Sequence, residues 1–163
     1  MRLLITVSVM LLCVAAQAAE HPNWDTLQKL LGKAADSPEV NELVDAYGLS
    51  HTTKGPSGMF TSDDFAYTLL YRRNHISSIH LRVAPRLKEF SEPHWRPYDG
   101  ELPADLNAGD GRAEVSMTLG KPIENRQNTW RHGELHIWVH FSEGEEAISE
   151  LYVSLRVIEA ASQ

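Results

Sequence analysis

The chain has 163 residues, with 15 Lys and Arg against 22 Asp and Glu, a formal net charge of −7 and a single cysteine. That balance argues against holding nucleic acid or anionic lipid through bulk charge, and it suits a basic protein partner. About 145 residues, the length left after the leader described next, bury a useful core without disulfides.

Residues 1–18 predict a cleavable signal peptide. Arg2 supplies the positive start, Leu3 to Val14 is an uncharged apolar run, and Ala16-Gln17-Ala18 gives the small-x-small pattern for cleavage before Ala19. The run is short of the roughly 20 apolar residues that span a bilayer, so no membrane insertion is expected after cleavage. Cys13 follows Leu12 rather than a small residue, a poor lipidation site, and it leaves with the leader. The mature chain then has no thiolate for catalysis or metal binding, and 14 basic residues against 22 acidic ones, a net charge of −8. The expected location is the periplasm.

Residues 19–83 read as a first α+β unit. Asn23 caps a short helix carrying Trp24, Leu27 and Leu31, which Gly32 ends. Ser37 caps a second helix with Pro38 at its first position and Val40, Leu43, Val44 and Tyr47 on one face, which Gly48 ends. Residues 50–58 read as a turn-rich loop through Gly55-Pro56-Ser57-Gly58. Phe65, Tyr67, Leu69 and Tyr71 alternate as a strand, Arg72-Arg73-Asn74-His75 turns, and Ile79, Leu81 and Val83 alternate again with Ser78, His80 and Arg82 on the other face.

Residues 84–103, punctuated by Pro85, Pro93, Pro97 and Pro103, read as a connector whose aromatic stretch His94-Trp95-Arg96-Pro97-Tyr98 packs on something. Residues 104–163 read as a second α+β unit. Asp110 caps a helix carrying Val115 and Leu119, which Gly120 and Pro122 end. Trp130 marks a short strand. Leu135, Ile137, Val139 and Phe141 alternate with His136, Trp138 and His140. Glu143-Gly144-Glu145 turns, and Leu151, Val153, Leu155 and Val157 alternate with Tyr152, Ser154 and Arg156. The halves superimpose in sequence: Glu39-Val40 matches Glu114-Val115, and Ile76-Ser77-Ser78-Ile79 matches Ile148-Ser149-Glu150-Leu151. The expected fold is α+β, with short helices on antiparallel sheet, as two related helix-meander units or as one domain with similar hairpins.

Gly109-Asp110-Gly111-Arg112-Ala113-Glu114-Val115, then Leu119-Gly120-Lys121-Pro122, Trp130 and a closing hairpin resemble the helix-plus-meander unit of the small lipoprotein of the outer-membrane barrel-assembly machinery. The same segment, roughly 102–157, is similar to the unit that occurs twice in β-lactamase-inhibitory protein. The family's Gly-Met-Thr helix start is absent. The resemblance implies a protein that binds other proteins on its exposed sheet face.

Eight histidines are present, and His132, His136 and His140 recur every four residues. On a helix they would stack as a zinc site. On the strand their neighbours predict, His136 and His140 stand about 13 Å apart, too far for one metal with Zn–N bonds near 2 Å. His-Gly-Glu-Leu-His also misplaces the glutamate of a metalloprotease helix. Gly55-Pro56-Ser57-Gly58 is not a nucleophile elbow, and Asp63-Asp64 reads as a cap or turn. No cofactor is implied. The residues expected to bind a partner are His136, Trp138 and His140, with Tyr152 and Arg156 on the neighbouring strand and the carboxylates Glu134, Glu143, Glu145 and Glu146, because Trp, Tyr and Arg dominate interface energy. The leading expectation is a non-catalytic periplasmic binder, an immunity or inhibitor protein that occludes a basic toxin or an envelope enzyme. The alternatives are an envelope-assembly accessory factor and a metal-assisted hydrolase.

Overall fold

The computed structural model describes residues 21–84, 95–144 and 146–155. The signal peptide with Cys13, the first half of the connector with His94, Glu145, Arg156 and Val157 lie outside the described residues.

Helix α1 spans Trp24–Gln28, with the Asn23 side chain accepting from the Thr26 N–H at 2.9 Å. It is shorter than its apolar spacing predicts: Leu30 and Leu31 leave the helix in the following turns, yet both remain buried. Those turns hydrogen-bond to a strand far along the chain instead, Gly32 N–H to Ile76 O and Ile76 N–H to Lys33 O, both at 2.8 Å. Helix α2 (Pro38–Tyr47) starts at Ser37 and ends at Gly48 in the left-handed conformation, burying Val40 and Leu43.

The reading of residues 50–58 as loop is corrected by the structure. Strands β1 (Ser50–Lys54) and β2 (Ser57–Thr61) form a hairpin, with Lys54 paired to Ser57 across a two-residue turn. Gly55 takes φ +60° at the first central position, as a primed turn requires, and Pro56 fills the second. All five β1 residues are exposed, so the strand carries no alternating apolar pattern to reveal it. Strand β3 (Tyr67–Arg72) begins two residues later than its alternation suggests, because Phe65 sits in the preceding turn at φ +59°. Arg73 and Asn74, both left-handed, turn the chain into β4 (His75–Arg82).

After a 3₁₀ turn at Pro103–Asp105, helix α3 (Arg112–Leu119) buries Val115. Its N-cap is Gly111 rather than Asp110. The Gly111 N–H donates to the Glu114 carboxylate at 3.1 Å, while Asp110 accepts from the Asn107 N–H at 2.8 Å and closes the preceding turn. Strands β5 (Thr129–His132), β6 (Leu135–Phe141) and β7 (Ile148–Leu155) follow, and the β6 burial alternates without a break.

All seven strands form one antiparallel sheet in the order β1-β2-β3-β4-β7-β6-β5. The fold is α+β. The sheet is continuous across β4 and β7, so the connector does not separate two bodies. A single row crosses every strand on the core face: His51, Phe60, Leu69, Ile79, Val153, Ile137 and Trp130. From Phe60 to Trp130 each member is buried, and Leu69, Ile79, Val153, Ile137 and Trp130 have no exposed surface. Residues of α1 and α2 join the same core, and Trp130 Nε1 donates to Gly120 O at 3.1 Å, pinning the end of α3 to β5.

The β3–β4 and β6–β7 hairpins agree in detail. Register slips between Leu70 and Tyr71 in one and between His140 and Phe141 in the other, and the next pairs are Tyr71 with Ile76 and Phe141 with Ile148. Under the offset that matches Ile76 to Ile148, His80 matches Tyr152, and these two residues are each other's partners in the β4–β7 pairing. An approximate two-fold axis therefore passes through the sheet between them.

Two substitutions test this core. Ile79→Ala is expected to cost about 2–5 kcal/mol in urea unfolding, the range for truncating a fully enclosed aliphatic side chain. Tyr67 is 1% exposed and its hydroxyl has no hydrogen-bond partner among the described residues. Tyr67→Phe is therefore expected to raise stability by about 1 kcal/mol, since it removes a buried unsatisfied group. A loss of stability would show that the hydroxyl is bonded.

Candidate functional site

Because side chains alternate along a strand, the residues between the core positions share the opposite face, which no described helix covers. One row there runs Thr61, Thr68, His80, Tyr152, Trp138 and Thr129 over six strands. The row beside it runs Thr52, Met59, Leu70, Ser78, Ser154, His136 and Arg131. On the other flank lie Arg82, Glu150 and His140.

Four rings stack along this face. His80 lies flat on Tyr152, with centroids 3.8 Å apart and planes 13° off parallel. Tyr152 meets Trp138 edge to face at 5.1 Å, and Trp138 stacks on His140 at 5.7 Å. Such pairs add to area burial and hold the rings in fixed orientations. His80 also faces Glu150, Nε2 to Oε2 3.4 Å, with side chains 8% and 7% exposed. A carboxylate and an imidazole this deep in a sheet face stay there only as a partnered set, and neither is without partners.

The structure brings His136, Trp138, His140 and Tyr152 onto one face, and all four are half-buried rather than fully solvent-facing. Ring-on-ring contact covers part of Trp138, His140 and Tyr152. Of the two connector aromatics that could have covered this row, Trp95 and Tyr98, Tyr98 packs elsewhere: it stacks on His21 at 5.6 Å and meets the core-facing Tyr67 edge-on. Met59, 39% exposed, and half-buried Leu70 extend the face toward β2.

The carboxylates do not form one patch. Glu134 is exposed at the β5–β6 turn and Glu143 and Glu146 are exposed at the β6–β7 turn, about 30 Å apart along β6. Glu143 and Glu146 flank the His140 end of the row. Glu134 instead lines a cleft of about 490 Å³ on the helical side, with Trp24, Asp25, Glu101, Asp105 and His132. His132 lies on β5, while His136 and His140 lie on β6. Among the described residues no three His, Cys, Asp or Glu side chains converge as a metal group. No helix among them is long and apolar enough to cross a membrane.

Sequence reasoning placed His80 on this face but missed its role, and it missed Glu150 and Met59. His80 and Glu150 are 70 residues apart, and only the β4–β7 register joins them.

No protein-family model and no curated protein matches the chain. The fold is similar to a solved cysteine-rich secretory protein from Staphylococcus aureus, at TM-score 0.54 and 12% identity over 85% of this chain. The chain spans 48% of that protein's length, and the likeness is one of fold alone.

A double-mutant cycle with His80→Ala and Glu150→Ala should give a coupling of about 1–3 kcal/mol in unfolding free energy, the range for contacting residues in one network. A coupling near zero would mean that the pair does not stabilise the face.

Proposed function

We propose that this chain is an exported, non-catalytic protein-binding module. In its most concrete form it is an immunity or inhibitor protein that occludes an envelope-acting toxin or enzyme from the periplasmic side. The observation that carries the reading is the ring row His80-Tyr152-Trp138-His140 on a sheet face that no described helix covers. Its rings are pre-oriented by one another, so a partner meets a surface whose side-chain ordering is already in place. Tyr and Trp are the side chains that supply most of the binding energy at interface centres.

Under this reading Trp138 is the central anchor. His136, Met59 and Leu70 widen the contact, and Glu143 and Glu146 at the end of the row attract a basic rim on the partner. Arg156 and Glu145, expected from sequence to join them, lie outside the described residues.

The test is co-purification from envelope extract with the wild type and Trp138→Ala, followed by assay of the captured partner. Trp138→Ala should weaken capture about 30-fold, corresponding to a hot-spot loss of about 2 kcal/mol. Wild-type protein, and not the variant, should suppress the partner's enzymatic activity. Equal capture by both sinks the proposed face. A partner that belongs to a resident envelope complex and keeps its activity favours the assembly-factor reading instead.

A further inference from the structure

A second polar constellation lies away from the ring row. His21, its side chain 10% exposed, is held at both ring nitrogens by carboxylates: Nε2 to Asp64 Oδ2 at 2.7 Å and Nδ1 to Asp99 Oδ1 at 2.6 Å. Its ring stacks on Tyr98, 20° from parallel, and meets Tyr67 edge-on at 6.0 Å. The three polar members come from three parts of the chain: the segment before α1, the β2–β3 turn and the second half of the connector.

Further bonds tie the same parts together. Tyr98 Oη donates to Pro22 O at 2.7 Å, Tyr98 N–H to Arg82 O at 2.7 Å and Arg96 N–H to Asp64 O at 3.0 Å. Gly100 follows because a Cβ there would lie 2.4 Å from the Tyr98 hydroxyl. The ionisable groups facing this cluster are Asp64, Asp99, Tyr67, Tyr98, Tyr47 and Glu101.

Ionised carboxylates only accept hydrogen bonds, so each of the two contacts needs an N–H, and a ring carries both only as imidazolium. The neutral ring has one N–H and one lone pair. A partner for that lone pair is already in place: the Asp99 backbone N–H points at Nδ1 from 3.4 Å. We propose that His21 is a proton-operated clasp that keeps Asp64 in both states and holds the Asp99 carboxylate only when protonated.

The direction follows from the chemistry. Asp64 remains ionised to low pH, because although desolvation pushes its carboxyl up, the hydrogen bonds from His21, Ser62 and the Ala66 N–H outweigh it and hold it below the usual range. The clasp is therefore closed while the ring carries both protons, and its Asp99 arm opens when the Nδ1 proton is lost. Asp99 and Glu101 line the cleft beside the 3₁₀ turn, so opening the arm frees a carboxylate on that cleft's wall.

Amide hydrogen exchange and 15N imidazole spectra of the exported protein test this at about pH 5.5 and about pH 8. Both His21 nitrogens should carry protons at the lower pH. Exchange at the Tyr98 amide should rise about tenfold at the higher pH beyond the intrinsic base-catalysed change, while the Val139 amide keeps its protection. In His21→Gln, and in Asp99→Asn at an exposed position, the Tyr98 amide should exchange at one corrected rate at both pH values. A single protonated His21 nitrogen at about pH 5.5, or equal corrected protection in the wild type at both pH values, overturns the clasp.

Discussion

The pairing of β4 with β7 is the constraint on which the rest depends. The two strands lie about 70 residues apart in the chain and meet antiparallel at the sheet centre, with Ile79 against Val153 and Leu81 against Leu151. All four side chains are fully buried, so the seam cannot slip by one residue without turning an aliphatic row outward. Fixing that register on the core face fixes it on the other face too. His80 must then lie beside Tyr152, and Arg82 beside Glu150. The ring row is in this sense a by-product of core packing, positioned to within a strand spacing by residues that never touch it.

Local signals made most elements legible. Asn23, Ser37-Pro38 and Gly48 mark helix ends through their own backbone chemistry, and the strict alternation of β6 follows from one face meeting the core. Strand β1 was not legible, because Ser-His-Thr-Thr-Lys has no apolar member and owes its conformation to pairing with β2. At α3, Asp110 is a good cap by residue type, yet the turn before the helix claims its carboxylate, and Gly111 with Glu114 serves instead. Of the candidate site, Trp138, His136, His140 and Tyr152 share a face because a period of two puts them there. What sequence could not supply was every relation across strands: the meeting of His80 with Glu150, the 30 Å separation of the acidic turns, and the convergence of residues 21, 64 and 99 on one ring.

The two faces of the sheet divide the work differently. The core face is aliphatic and tolerates little, since close-packed interiors feel the loss of a methylene. The opposite face mixes rings, hydroxyls and a buried imidazole–carboxylate pair. Such pairs add little net stability compared with an apolar replacement, but they penalise any arrangement that separates them. A surface built this way holds one geometry without being part of the hydrophobic core.

The polar edge strand has one more consequence. An open seven-stranded sheet has two rims where unpaired N–H and C=O groups could recruit a neighbouring chain. On the β5 side, Ile123 N–H already donates to Thr129 O at 2.7 Å, so the adjoining loop occupies the start of that rim. On the β1 side no strand among the described residues pairs with the rim, but Ser50 to Lys54 offer no apolar side chain for a docking strand to cover, and Lys54 sets a charge at its end. Copies of the molecule that collide edge to edge gain hydrogen bonds no better than those they had with water, which favours a dispersed protein over fibrils even when it is concentrated.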